Sequence, residues 1–185
     1  MKVLALDTSS SKTGYAVYAD GQITSHGSIK LRGRGETPSE QAQDRLRQLY
    51  TKLGQLITRY KITRIVAEDI FKDSDIRKQS AFDVLAQCRG VLIALSEAHQ
   101  LPPIKFLNPG HIKSKMWNYT TSRRDHRTLT RQEHKERMCR AVERLGYQLN
   151  TDRNGNKDND QADALGILIT YLESKKHPIK HPNAK

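Results

Sequence analysis

The order of strand-like and helix-like segments constrains this chain more than any other feature. Three strand-like segments follow one another within the first 30 positions, at 3–7, 14–18 and 22–29, and Asp20-Gly21 is a hairpin turn between the last two. Two further strands are predicted at 65–68 and 103–107. Because the first three strands form an antiparallel meander and the later ones need crossovers, we expect a mixed five-stranded sheet flanked by helices, an α/β fold.

Helical spacing of apolar residues predicts the elements between and after these strands. The first helix opens with the capping sequence Thr37-Pro38-Ser39-Glu40 and ends near residue 60. Further helices are predicted at 80–99, 111–116, 131–145 and 160–173. We therefore assign one domain, 1–173, followed by a flexible basic C-terminal tail, 174–185.

Composition favours an anionic partner. The 185 residues contain 32 Lys and Arg against 20 Asp and Glu, a formal net charge of +12, with 36% hydrophobic residues. A chain of this length buries a core without metal or disulfide support. Nucleic acid is the leading candidate partner, although in some basic proteins the excess positive charge serves only solubility.

Cysteine usage and hydropathy predict a cytoplasmic protein that does not enter a membrane. The two cysteines, Cys88 and Cys139, lie in predicted helices without the spacing of zinc ligands. The apolar run at 3–6 is too short for a secretory core, and no later run has membrane-spanning length.

Four carboxylates fall at the ends of predicted elements. Asp7 closes the first strand, Glu68 closes the fourth, and Asp160 and Asp163 open the last helix. Asp160 and Asp163 are three residues apart and therefore share one helical face. All four can converge at one edge of the sheet.

Converging carboxylates repel one another unless a cation lies between them, and hard oxygen ligands suit Mg²⁺ or Mn²⁺. Two such ions about 3.5–4 Å apart could activate water and stabilise both oxygens of a cleaved phosphodiester. Simpler interpretations remain: acids in a first helical turn complement the helix dipole, and Asp7 before Thr8-Ser9 can make a turn. Glu68, directly after a buried strand, is costly unless it is paired or metal-bound.

Read together, these motifs resemble the RuvC-type Holliday junction resolvases of the RNase H-like, retroviral integrase-like nuclease superfamily. Residues 4–17 (LALDTSSSKTGYAV) are similar to the family's opening strand and turn. Residues 67–71 (AEDIF) are similar to its strand-end Glu followed by an aromatic, and residues 160–165 (DQADAL) resemble its final motif. The family commonly has Pro-Gly where this chain has Thr8-Ser9.

The resemblance implies an RNase H-like fold and a homodimer that nicks four-way DNA junctions in symmetric strands, with one or two Mg²⁺ or Mn²⁺ ions per site. It implies catalytic and metal-binding roles for Asp7, Glu68, Asp160 and Asp163. Residues 87–91 (QCRGV) match the helix along the family's dimer interface. Phe71 takes the place of an aromatic that stacks on junction bases, but it could instead be a core residue.

Over half of the excess positive charge lies between Lys105 and Arg140, where ten Lys and Arg stand against three acids, a net charge of +7. The loop from Trp117 to Thr130 mixes cations with aromatics as nucleic-acid surfaces do. By position, Lys113 and Lys135 resemble basic residues beside the family's site, and either could hold the scissile phosphate or offset developing charge. The candidate DNA contacts are Phe71, Lys113, Lys115, Arg123, Arg124, Arg127 and Lys135.

Two other functions share part of this pattern. An RNase H-like nuclease acting on RNA or RNA/DNA hybrids would keep both the fold and the acids. A noncatalytic protein that binds branched DNA would be expected to lack at least one acid, whereas all four are present. No branch-migration motor is assigned as a partner.

Overall fold

The computed structural model describes residues 1–70, 79–120 and 130–182, in which the chain forms a five-stranded sheet. The strands are β1 Val3–Asp7, β2 Lys12–Ala19, β3 Gln22–Lys30, β4 Arg64–Glu68 and β5 Lys105–Leu107. Their order across the sheet is β3-β2-β1-β4-β5. The first three strands pair antiparallel, whereas β1 with β4 and β4 with β5 pair parallel. The predicted mixed sheet is confirmed.

The central strand β1 is buried on both faces, which explains its continuous apolar run. Val3 and Ala5 face one core cluster, and Leu4 and Leu6 face the other. The strand predicted at 103–107 begins only at Lys105, because a proline cannot donate a hydrogen bond to a neighbouring strand.

Helices cover both faces of the sheet. They are α1 Pro38–Tyr60, α2 Gln79–Ala98, α3 Pro109–Trp117, α4 Arg131–Arg144 and α5 Asn159–Ser174. Residues of α1 and α2 join the cluster that contains Leu4 and Leu6, and residues of α3, α4 and α5 join the other. Of the helices that the structure describes, none combines the length and the apolar character that crossing a membrane requires.

Local capping defines where two of these helices begin. Thr37 accepts a hydrogen bond from the backbone of Glu40, and the Glu40 carboxylate accepts one from the backbone of Thr37. Thr130 and Glu133 form the same capping box at the start of α4. The box at Thr37 was predicted from sequence, and α1 ends where the pattern places it.

The last helix lies directly on β2 at Gly14. A Cβ atom at Gly14 would stand 1.8 Å from the carbonyl oxygen of Asp160, a distance that no side chain permits. Gly14 pairs with Asp7 across β1 and β2. The missing side chain at Gly14 therefore lets the start of α5 approach the end of β1.

The residues that follow α5 contact the sheet. The Tyr18 hydroxyl donates to the Pro178 carbonyl at 2.9 Å, and the Lys180 amide donates to the Gly21 carbonyl at 3.1 Å. Ile179 packs against the core cluster beneath α5. Up to residue 182 the tail is docked on β2 and β3, because these pairings replace a helical continuation that Pro178 forbids.

We expect Gly14→Ala to destabilise the protein by about 2 kcal/mol and to lower Tm by about 4–8 °C, because α5 must move away from β2. Gly54→Ala is the matched control: it lies inside α1, and its added Cβ would meet ordinary contacts at 3.6 Å. The control should keep or raise Tm, since Ala favours a helix more than Gly does. Thermal unfolding measures both, and equal losses would contradict the packing described.

Candidate functional site

Strand topology brings Asp7 and Glu68 together. Each is the last residue of its strand, and β1 and β4 are parallel neighbours in which Leu6 stands opposite Ala67. Parallel neighbours place their carboxyl ends at the same edge of a sheet. The two acids therefore leave that edge side by side.

Helix α5 supplies the other two acids. Asp158 caps its N-terminus by accepting a hydrogen bond from the backbone of Gln161, so Asp160 and Asp163 fall in the first turns. The rest of the helix is almost entirely buried. All four predicted acids line one open cleft of about 500 Å³, whose lining comprises Asp7, Thr8, Ser9, Glu68, Leu85, Lys113, His134, Lys135, Met138, Asn159, Asp160 and Asp163.

Burial and mutual repulsion shift the titration of these acids. Burial raises the pKa of Asp7 well above its usual value, and the charges of Asp163 and Glu68 raise it further. Burial, followed by the charges of Glu68 and Asp160, raises the pKa of Asp163 to about 7. Burial also raises the pKa of Glu68. The cleft thus concentrates negative charge that an added cation would stabilise.

Two lysines partly offset this charge. Lys113 on α3 opposes the rise in the pKa of Glu68 and Asp163, and Lys135 on α4 opposes it at Asp7 and Asp163. Both were predicted beside the site, and both line the cleft. Lys115 is half-buried on α3 and lies outside the cleft lining.

The donors in the cleft suit a hard divalent cation, because carboxylate oxygens are the ligands that Mg²⁺ and Mn²⁺ prefer. Across residues 1–70, 79–120 and 130–182, however, no three His, Cys, Asp or Glu side chains stand in an arrangement that could hold a metal ion. The acids line the same cleft, but their side chains are not arranged as a set of metal ligands. Ligation would require the carboxylates to turn toward a common centre.

Several predicted DNA contacts cannot be placed against this geometry. Phe71, Arg123, Arg124 and Arg127 lie outside the described residues, and their roles stay predictions. Trp117, where the loop from Trp117 to Thr130 starts, stacks on His134 with ring centroids 5.3 Å apart and nearly parallel planes. The loop therefore begins close to a cleft residue, since His134 lines the cleft.

Sequence reasoning missed one charged residue at the site. The Lys12 ammonium lies 2.7 Å from Asp158 Oδ1 and 3.0 Å from Asp160 Oδ2. Nothing in the sequence indicates this contact, because Lys12 and Asp158 are 146 residues apart. His134 also lines the cleft with the acids.

Without divalent cations, we expect Asp163→Asn to raise Tm by about 2–4 °C at pH 8, as roughly 1 kcal/mol would in a chain of this length. Asp163 has a pKa of about 7 in the folded protein and about 3.9 when unfolded, so its ionisation costs stability as pH rises through 7. Asn mimics the protonated acid, and the gain should therefore shrink at pH 5.

Asp152→Asn is the control for this experiment. Asp152 is exposed outside the cleft, and hydrogen bonds from Asn156 hold its pKa below the usual value. Its substitution should not stabilise the protein at pH 8. Mg²⁺ should also raise Tm more in the wild-type protein than in Asp163→Asn. A variant less stable than wild type at pH 8 would contradict the repulsion argument.

Comparison with known proteins places this site in a family context. Crossover junction endodeoxyribonuclease RuvC of Syntrophomonas wolfei is 27% identical over 178 residues, covering 94% of this chain and 90% of that protein. The structure of Thermus thermophilus RuvC in complex with Holliday junction substrate aligns with a TM-score of 0.67 at 15% identity, covering 95% of both chains. The yeast mitochondrial Holliday junction resolvase aligns with a TM-score of 0.59 at 15% identity, covering 95% of this chain and 79% of that one.

The two structural similarities confirm the RNase H-like fold. The family model described as crossover junction endodeoxyribonuclease RuvC matches residues 3–171, which contain both strand-end acids, both helix acids and the two cleft lysines. The chain therefore belongs to the RuvC family of crossover junction endodeoxyribonucleases, which are metal-dependent nucleases.

Proposed function

We propose that this protein resolves four-way DNA junctions as a homodimer, with Asp7, Glu68, Asp160 and Asp163 as the catalytic acids of each subunit. The observation that carries the proposal is the convergence of the four acids in one cleft beside Lys113 and Lys135, in a chain of the RuvC family. Relatives with this fold include a RuvC bound to a Holliday junction, and the same substrate is proposed here.

The acids stand on elements that resist movement. Asp7 and Glu68 follow fully buried residues of β1 and β4, and α5 is held against β2 at Gly14. A rigid framework keeps the carboxylates close despite their repulsion, so that binding a cation does not first require ordering them. Asp160 also lies in the first turn of α5, where the helix dipole attracts negative charge.

Bound Mg²⁺ or Mn²⁺, one or two ions per site, would supply the chemistry that activates water and neutralises charge at the scissile phosphate. The chain's own cations have a separate role. Lys113 and Lys135 lower the pKa of the acids they face, which keeps these carboxylates available as ligands. The same two ammonium groups can hold the phosphate and offset the charge that develops during cleavage.

The proposed DNA surface extends outward from these lysines. Lys115 on α3 and Arg137 on α4 are each two residues from a cleft lysine and therefore lie on a different face of their helix, outside the cleft lining. The Arg137 guanidinium stands 4.4 Å over the Trp117 ring, so cationic and aromatic surfaces meet beside the cleft. Such surfaces suit a phosphate backbone with exposed bases near a branch point. Phe71, Arg123, Arg124 and Arg127 are proposed to extend the same surface.

We expect Asp7→Asn and Glu68→Gln to bind a synthetic mobile four-way junction with near wild-type affinity but to cut it at least about 100-fold more slowly. Losing an acid that ligates the metal removes several kcal/mol of charge stabilisation, and each 1.4 kcal/mol is a factor of ten in rate. Gel-shift binding in Ca²⁺ and single-turnover cleavage in Mg²⁺ measure the two quantities separately.

Glu36→Gln is the control, since Glu36 is an exposed acid in the loop before α1 and lies away from the cleft. It should bind and cut normally. Linear duplex DNA and an RNA/DNA hybrid of the same sequence complete the substrate set. Faster cutting of the hybrid than of the junction would favour the alternative nuclease, and undiminished cutting by both acid variants would exclude the proposed site.

The dimer is proposed from the outward face of α2. Ala86, Gly90, Ile93 and Ala94 are all exposed there, Ile93 by 47%. Apart from its chain neighbours and the backbone of its own helix, no described atom lies within 4 Å of the position that a Cβ on Gly90 would take. A helical face of small and apolar residues allows a second backbone to approach closely, and an isolated subunit leaves this face in contact with water. This helix also contains the segment that resembles the family's dimer helix.

We expect Ile93→Glu to shift the protein from dimer to monomer at micromolar concentration, because two buried carboxylates would face each other across the symmetric interface. Sedimentation velocity measures the change. Tyr50→Glu, at a residue on α1 that is 42% exposed, makes the same chemical change elsewhere and should leave the dimer intact. Junctions cut by the monomer should lose paired symmetric nicks. A dimeric Ile93→Glu protein would exclude this face as the interface.

A further inference from the structure

Lys12 contacts one of the acids without lining the cleft itself. It opens β2, five residues after Asp7, and among the described residues it lines a neighbouring pocket with Ser28 and Asp158. Its ammonium reaches Asp160 Oδ2 at 3.0 Å. Asp160 itself lines the cleft with the other acids, so Lys12 binds one acid of the site from a neighbouring pocket.

Asp158 holds Lys12 in this position. Its side chain is only 9% exposed, and its Oδ1 accepts from Lys12 at 2.7 Å and from the Gln161 backbone at 3.2 Å. Its Oδ2 accepts from the Ser28 hydroxyl at 2.5 Å. A carboxylate bonded on both oxygens has a fixed orientation. The ammonium that it binds is therefore directed toward Asp160 rather than free to sample solvent.

We propose that Lys12 is a positioning residue for Asp160: by binding Oδ2 from outside the cleft, it fixes the rotation of the carboxylate and leaves Oδ1 for a divalent cation. The inference rests on the proposed metal site. Hydrogen bonds from outer residues to ligating carboxylates typically contribute 10–100-fold to metal affinity or activity.

Charge alone predicts the opposite effect of removing Lys12. A cation near a metal site repels the metal, so Lys12→Met should tighten metal binding if charge dominates. If orientation dominates, the same variant binds metal more weakly, because Asp160 must be ordered when the metal arrives. The sign of the change therefore separates a positioning role from simple competition for Asp160.

The experiment measures Mn²⁺ binding to the full protein without DNA, by titration with electron paramagnetic resonance. We expect Lys12→Met to raise the Kd for Mn²⁺ about 10-fold or more. The double variant K12M/D158N removes one positive and one negative charge, and Asn still caps α5. It should show the same weakening without a change in net charge, whereas Lys12→Arg should largely restore binding.

Activity provides a second measurement. At saturating Mg²⁺ the Lys12→Met variant should cut a four-way junction at near wild-type rate, while the Mg²⁺ concentration for half-maximal rate should rise about 10-fold or more. General damage to the fold would lower the saturated rate and would not be rescued by Arg.

Each outcome either supports or overturns the positioning role of Lys12. If Lys12→Met and the double variant bind Mn²⁺ as tightly as wild type or more tightly, the positioning role of Lys12 is overturned. The proposed metal site would still stand in that case, provided that Asp7→Asn loses Mn²⁺ binding. Unchanged Mn²⁺ binding by Asp7→Asn would overturn the proposed metal site and the role of Lys12 with it. If the double variant does not fold, Lys12→Met alone still decides, because Asp158 keeps its bonds from Ser28 and Gln161.

Discussion

The contact between the first turn of α5 and the backbone of β2 determines where the acids lie. Gly14 offers no side chain, and the carbonyl of Asp160 occupies the space that a Cβ atom would fill. Because Gly14 pairs with Asp7, this approach brings the helix acids to the end of β1. The parallel pairing of β1 with β4 brings Glu68 to the same edge. One backbone contact and one strand pairing thus assemble the cleft.

The cost of this arrangement is electrostatic. Asp7, Glu68 and Asp163 each have a pKa raised first by burial, so their ionised forms are strained in the folded protein. The lysines of α3 and α4 relieve part of the strain from one side, and Lys12 pairs with Asp160 from the other. The negative charge that remains unbalanced would favour a cation at the proposed metal site, as functional sites commonly lose stability for the sake of chemistry.

Helix α2 connects the proposed dimer face to the same edge of the sheet. Its Arg89 forms an ion pair with Asp69 at 2.5 Å, directly after Glu68, and its guanidinium lies 3.8 Å over the Phe106 ring. The Asp69 amide in turn donates to the Leu107 carbonyl of β5. The end of β4 is therefore held both by its neighbouring strand and by the helix proposed to meet a second subunit. In a dimer, the spacing of the two clefts would follow from this rigid connection.

Local features of the sequence determined most of the fold and the identity of the acids. Alternation and turn residues predicted the meander, and the capping box at Thr37 predicted the start of α1, because these signals depend on neighbours within a few residues. The acids were recognisable from their positions at the ends of strands and helix. The family resemblance then identified the four acids as one set, and the structure shows that all four line the same cleft.

Only the tertiary structure decided the features that join distant segments. The tail after α5 gives no sequence signal for its contacts, and only the structure shows that Tyr18 and Gly21 bind its backbone. Likewise, Lys12 and Asp158 are 146 residues apart, and no periodicity or charge pattern relates them. Such contacts depend on how α5 packs on β2, a three-dimensional approach that local sequence does not encode.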